Sequence, residues 1–111
     1  MLQTISFETD MRDGVKMQRL GRLFASGDKA AHTFKIKVKG ADLSGYSANG
    51  YMIRATNDTV PISAIVDGDT VTATLPDACY IVPGCFSLIF CVNNENERTA
   101  IFWSVGTITR S

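Results

Sequence analysis

The chain has 111 residues, and its 11 basic and 11 acidic side chains cancel to a formal net charge of zero. That length suits one domain able to bury a core without disulfides or a structural metal, and the charge balance removes the long-range field that would draw in nucleic acid or an anionic membrane. With 45% hydrophobic and 20% charged residues, the composition is that of a globular protein, not a disordered one.

The N-terminal stretch MLQTISFETDMRDG lacks the basic start and apolar core of a secretory signal, and no apolar run reaches membrane-spanning length. Synthesis in the cytoplasm is therefore expected. Residues 1–14 are read as an N-terminal arm or first strand, with LQTISFE as its extended part. VKMQRLGRLF gives a second extended segment, irregular in its alternation and interrupted by glycine.

From there the period of two that marks half-buried strands dominates. In HTFKIKVKG, Phe34, Ile36 and Val38 alternate with Thr33, Lys35, Lys37 and Lys39, which predicts a strand with one wet side. ANGYMIRAT is a further strand. VPISAIV and TVTATLP flank Asp67-Gly68-Asp69, a hairpin signature, and Val60-Pro61 predicts an edge position or a strand start because proline cannot donate to a ladder. PDACYIV is the best candidate for a single helical turn. CFSLIFCV is expected to be a central strand, with Phe86, Leu88, Phe90 and Val92 on one face and Cys85, Ser87, Ile89 and Cys91 on the other. After the polar turn NNENER comes the closing strand TAIFWSVGTITR. Its faces are read as Ile101, Trp103 and Val105 against Ala100 and Phe102, with Gly106 as a bulge. Seven or eight short strands in one domain spanning 1–111 predict an all-β fold, an antiparallel β-sandwich of immunoglobulin-like type.

Chemical signatures are sparse. Cys85 and Cys91 lie on one strand with Cα atoms about 20 Å apart, beyond disulfide or shared-metal reach. Three cysteines, no C-x-x-C spacing and one histidine leave zinc without a ligand set, so Cys79, Cys85 and Cys91 are read as small buried hydrophobes. His32 has no nucleophile motif near it and is expected at the surface or a strand edge. Asp58, Asp67, Asp69 and Asp77 fall in or beside turns, where aspartate caps local backbone groups. GRLFASGD lacks the Lys-Ser/Thr of a phosphate loop. No catalytic, cofactor or metal site is predicted. Trp103, Phe24, Tyr46 and Tyr51 are candidates for a stacking surface, against the alternative of core packing.

The order of the pieces carries a resemblance. Gly27-Asp28 leads into a strand, Gly50-Tyr51-x-Ile53-Arg54 follows, and Leu75-Pro76-x-x-Cys79-Tyr80-x-x-Pro83-Gly84 forms a corner. From about Ile5 to Arg110 this resembles the N-terminal immunoglobulin-like domain of phage baseplate upper proteins, and related small domains at the capsid-attached base of phage head fibres. The resemblance implies a virion structural protein without catalytic activity, made in the host cytoplasm. Its partners would be phage capsid or tail proteins, and it would form a homo-oligomer, a trimer or higher, following particle symmetry. Because the sequence stops at Ser111, with no helical stalk or carbohydrate-binding tip, an adaptor, fibre base or decoration protein is expected. The alternative is a carbohydrate-binding sandwich for host attachment, with Trp103 or Tyr46 as platform. Arg19, Arg22, Leu23, Phe24 and Trp103 form the candidate interface, since arginine beside apolar side chains is the composition of interface hot spots. For the segment holding the first four, a bent edge strand is the competing reading.

Overall fold

The computed structural model describes residues 3–10, 17–25, 32–40 and 42–109. They contain eight strands: β1 (Gln3–Asp10), β2 (Met17–Ala25), β3 (His32–Lys39), β4 (Ser47–Ile53), β5 (Thr59–Asp67), β6 (Thr70–Thr74), β7 (Gly84–Asn93) and β8 (Arg98–Thr109). A single 3-10 turn, Asp77–Tyr80, falls within the PDACYIV segment where a helical turn was expected. The strands form one sheet in the order β1-β3-β6-β5-β4-β7-β8-β2. The all-β class follows from the alternation, and β7 is central as its two apolar faces predict.

The expectation of a purely antiparallel sandwich is corrected at both ends of this order. β1 runs parallel to β3, from Gln3 opposite His32 to Asp10 opposite Lys39, and β2 runs parallel to β8. The remaining pairings are antiparallel. Alternation reports which face a residue takes and is silent on the direction of the neighbouring strand; hairpin turns supply that direction. β1 and β2 lie at opposite ends of the sheet and neither is joined to its partner by a tight turn, so the sequence held no signal for their direction.

β5 is where the sheet folds over. Thr59–Ala64 pair with β4, and only Ile65, Val66 and Asp67 pair with β6. Pro61 lies in the first part, where β5 has β4 on one side and no ladder to β6 on the other, so the edge predicted from proline exists locally inside an interior strand. The hairpin from β5 to β6 turns at Gly68, whose φ of +64° is a backbone region that glycine enters without steric cost. Folding brings β3 over β7 and β8: the ring of Phe34 lies 5.9 Å from that of Phe90 and 6.0 Å from that of Phe102. Phe7 of β1 reaches Phe102 at 4.8 Å. One end of the strand order thus nearly meets the other, and the sheet is close to barrel-shaped.

The core is the set of inward positions. Phe34, Ile36 and Val38 of β3 are fully buried while Lys35, Lys37 and Lys39 are exposed. Phe86, Leu88, Phe90 and Val92 line the inner face of β7. In β8 the expected phase is corrected. Phe90 pairs with Phe102 but Cys91 pairs with Ala100, so Ile101 is an extra residue, and both Ile101 and Phe102 point inward. Trp103 and Val105 are thereby turned outward. The β7–β8 ladder passes Gly106 in regular register, so the bulge expected there lies at Ile101; the irregularities beside Gly106 belong to β2.

The same phase buries Ser104, whose hydroxyl has no hydrogen-bond partner among the described residues. Burying an unpaired hydroxyl costs free energy that alanine avoids. Ser104→Ala is expected to raise stability by about 1 kcal/mol, read as a higher urea midpoint; a clear loss would show that the hydroxyl is bonded.

Candidate interface on the outer sheet face

The residues singled out for chemistry separate into an interior group, a set of turns and one outward face. His32 is not at the surface: it is 3% exposed, and its Nδ1 lies 2.9 Å from the Tyr80 hydroxyl, itself buried. It occupies the first inward position of β3, two residues before Phe34, and its carbonyl accepts the amide of Leu75 at 3.1 Å. The pair therefore ties the corner containing the 3-10 turn to the start of β3, a packing role that the imidazole alone did not signal. The phase shared with Phe34 was the available clue.

Cys79 is buried in the same corner, and desolvation pushes its thiol up to about 12 against a smaller opposing effect of Arg54. Cys91 is also buried. Cys85 is exposed on the outer face near the end of β7, which corrects the expectation of three buried cysteines. In the folded protein Cys85 alone is expected to react quickly with a thiol reagent such as Ellman's, with Cys79 and Cys91 following only on unfolding. Fast reaction of a second thiol would contradict this. Among the described residues no three His, Cys, Asp or Glu side chains gather in a metal-binding group.

Asp58 and Asp69 lie in turns as expected, but their carboxylates take neighbouring side chains in place of the backbone groups predicted for them. Between β4 and β5, the Asp58 carboxylate takes the Arg54 guanidinium through both oxygens, with Nε to Oδ1 at 2.8 Å, and accepts the Thr56 hydroxyl at 2.6 Å. Arg54 and Thr56 hold its carboxyl well below the usual carboxylate range. A folded-state value depressed in this way gives stability that is present above the unfolded value and disappears as pH falls through the folded one. Asp58→Asn is thus expected to unfold at lower urea than the parent at neutral pH, with the gap closing below about pH 4. A gap that persists or widens in acid would sink this account. Asp69 accepts the Thr70 hydroxyl, and its carbonyl accepts the Val38 amide at 2.8 Å. Across the sheet, the Tyr46 hydroxyl donates to Glu97, which fixes a tyrosine considered as a stacking platform to the β7–β8 turn.

The outward face of β4, β7 and β8 collects what remains. Register aligns Pro61, Tyr51, Ile89 and Trp103 in one cross-strand row, and Ile53, Ser87 and Val105 in the next. Trp103 keeps 39% of its surface exposed. The parallel pairing of β2 with β8 sets Arg19 opposite Val105 and Met17 opposite Trp103, so the exposed Arg19 ends the second row, diagonal to the indole. The structure therefore brings together two of the five candidate interface residues, Arg19 and Trp103. Arg22, Leu23 and Phe24 lie in the same strand, but their side chains fall outside the described residues. β2 itself is an edge strand with two register shifts, matching the bent edge strand considered for it. An open groove of ≈ 380 Å³ borders the face, lined in part by Ile53, Arg54, Cys85, Ser87 and Val105.

No protein-family model matches the chain, and no curated protein matches it. A solved structure shares the fold. The chain is similar to the N-terminal domain of phage TP901-1 ORF48, with a TM-score of 0.57 at 8% identity, over 98% of this chain and 100% of that one. At that identity the likeness establishes a shared fold.

Proposed function

We propose that this chain is a phage virion structural protein, a non-catalytic docking and assembly module of a head fibre, decoration or tail baseplate. The observation that carries the reading is the correspondence with a phage protein domain along essentially the whole of both chains. The resemblance to baseplate upper proteins and head-fibre bases, drawn from the residues alone, leads to the same kind of particle. On this reading the folded-over sheet is an immunoglobulin-like relative with parallel edge strands, its partners are phage capsid or tail proteins, and it works as a trimer or higher oligomer in the virion. A compact all-β body whose uncharged outward rows are bordered by an arginine suits binding by surface complementarity.

The test is to purify particles from cells producing this chain and to look for it by immunoblot and immunogold labelling. Stoichiometric presence at one symmetric location is expected. Abundant expression with none in purified particles would overturn the proposal. The exposure of Trp103 favours one second reading, a carbohydrate-binding module for host attachment. That reading requires glycan binding that Trp103→Ala abolishes without unfolding the protein.

A further inference from the structure

The two outer faces of the folded sheet differ in kind. Around β3 and β6 the outward residues are Lys35, Lys37 and Lys39 with Thr70, Thr72 and Thr74, and Lys39 pairs with Glu8 at 2.9 Å. This is a solvated surface. On β4, β7 and β8 the rows through Tyr51, Ile89 and Trp103 and through Ile53, Ser87 and Val105 carry no charge among the described residues until Arg19 at their border. Arg19 makes no ion pair among the described residues.

The geometry points to a docking face for a protein segment that lays an apolar side chain against Trp103 and the neighbouring groove and sets a carboxylate on Arg19. The apolar part follows from desolvation: covering an uncharged face strips no ion of its water, and an exposed indole offers large contact area at small entropic cost. The acidic part follows from charge complementarity, since an arginine at the rim of an apolar patch rewards an opposing carboxylate and penalises a lysine. The same reasoning disfavours a second copy laid face to face. Its matching face presents Arg19 again, and the carboxylate beside the far end of that row, Asp58, is already held by Arg54 of its own chain. The groove of ≈ 380 Å³ continues from the row of Ile53, Ser87 and Val105; Arg54 lines it too but is already paired with Asp58, and the apolar side chain enters along Ile53 and Val105.

This inference rests on the docking reading only in taking the partner to be protein. Its test needs no particle, so either can fail alone. The isotope-labelled chain is titrated with the blocked peptide Leu-Asp-Phe-Asp-Leu and, separately, with Leu-Lys-Phe-Lys-Leu, following the Trp103 indole N–H and the amides of Ile89 and Val105 by NMR. The acidic peptide is expected to shift these signals and leave Lys35 and Lys37 unmoved, binding about tenfold tighter than the basic one. Trp103→Ser should remove binding by both peptides, and Arg19→Glu, at an exposed site where folding is unaffected, should reverse the preference. Four outcomes would overturn the proposal: no shifts on this face at millimolar peptide, equal binding of the two peptides, shifts of the same signals on concentrating the protein alone, which would mean a second copy, or shifts with a neutral oligosaccharide and none with the acidic peptide.

Discussion

Gly50→Ala is expected to lower stability by about 3 kcal/mol, the upper end of the usual cost of overpacking a core. Gly50 sits in the middle of β4, between β5 and β7 and paired with Phe90. A Cβ added there would lie 2.4 and 2.6 Å from two ring atoms of Phe90 and 2.9 Å from the carbonyl oxygen of Ile89. The carbonyl belongs to the ladder and cannot retreat without breaking it. The ring cannot swing away either, because Phe34 and Phe102 pack against it. This explains in physical terms why glycine precedes Tyr51 in the motif that carried the family resemblance: the missing side chain is the space that Phe90 fills. The measurement is the urea midpoint of Gly50→Ala against the parent, with Gly45→Ala as a control. Gly45 has open space around it, so its φ of +82° brings backbone strain without a clash. A loss at Gly50 no larger than at Gly45 would show that the ring relaxes and would remove the argument.

Much of this core could be read in the residues. Phe34, Ile36 and Val38 alternate with lysines, and the structure buries the first set and exposes the second. The β5–β6 hairpin announced itself through Asp67-Gly68-Asp69, and the corner through PDACYIV. What stayed hidden depends on neighbours. In Ala100-Ile101-Phe102-Trp103 four consecutive apolar residues permit either phase, and only the β7 ladder, by skipping Ile101, decides that Phe102 turns in and Trp103 turns out. Cys85 and Cys91 share the outer face of β7, yet Cys91 lies between Asn49 and Ala100 in the middle of the sheet and is buried, while Cys85 sits near the strand end opposite Thr107 and is exposed. His32 fitted the inward phase of β3, but its polarity argued for the surface until Tyr80, 48 residues away, supplied a partner. For the candidate interface, Arg19 and Trp103 were both visible as residue types. Their adjacency was not, because it depends on a parallel pairing between strands separated by most of the chain.

Phe34→Ala is expected to have the largest effect of all, about 4 kcal/mol, within the range for removing a buried phenylalanine. The ring is fully buried at the point where the folded sheet meets itself: it lies 6.4 Å from Phe7 of the edge strand β1, 5.9 Å from Phe90 of β7 and 6.0 Å from Phe102 of β8. Removing it opens a cavity between the two halves and takes a contact from each aromatic neighbour, in addition to the transfer free energy of the ring. Among the described residues, the strand ladders join those halves along the sheet only through the short pairing of Ile65, Val66 and Asp67 in β5 with β6, so side-chain packing must hold the closure. A domain of this size has about 5–15 kcal/mol of stability in all, and a loss near 4 is a large share of it. Phe34→Leu keeps most of the volume and should cost well under half as much, which separates a cavity effect from a general intolerance at the site. Urea unfolding followed by Trp103 fluorescence reads both variants. Equal losses for alanine and leucine, or a loss for alanine near 1 kcal/mol, would mean that the closure does not depend on this ring.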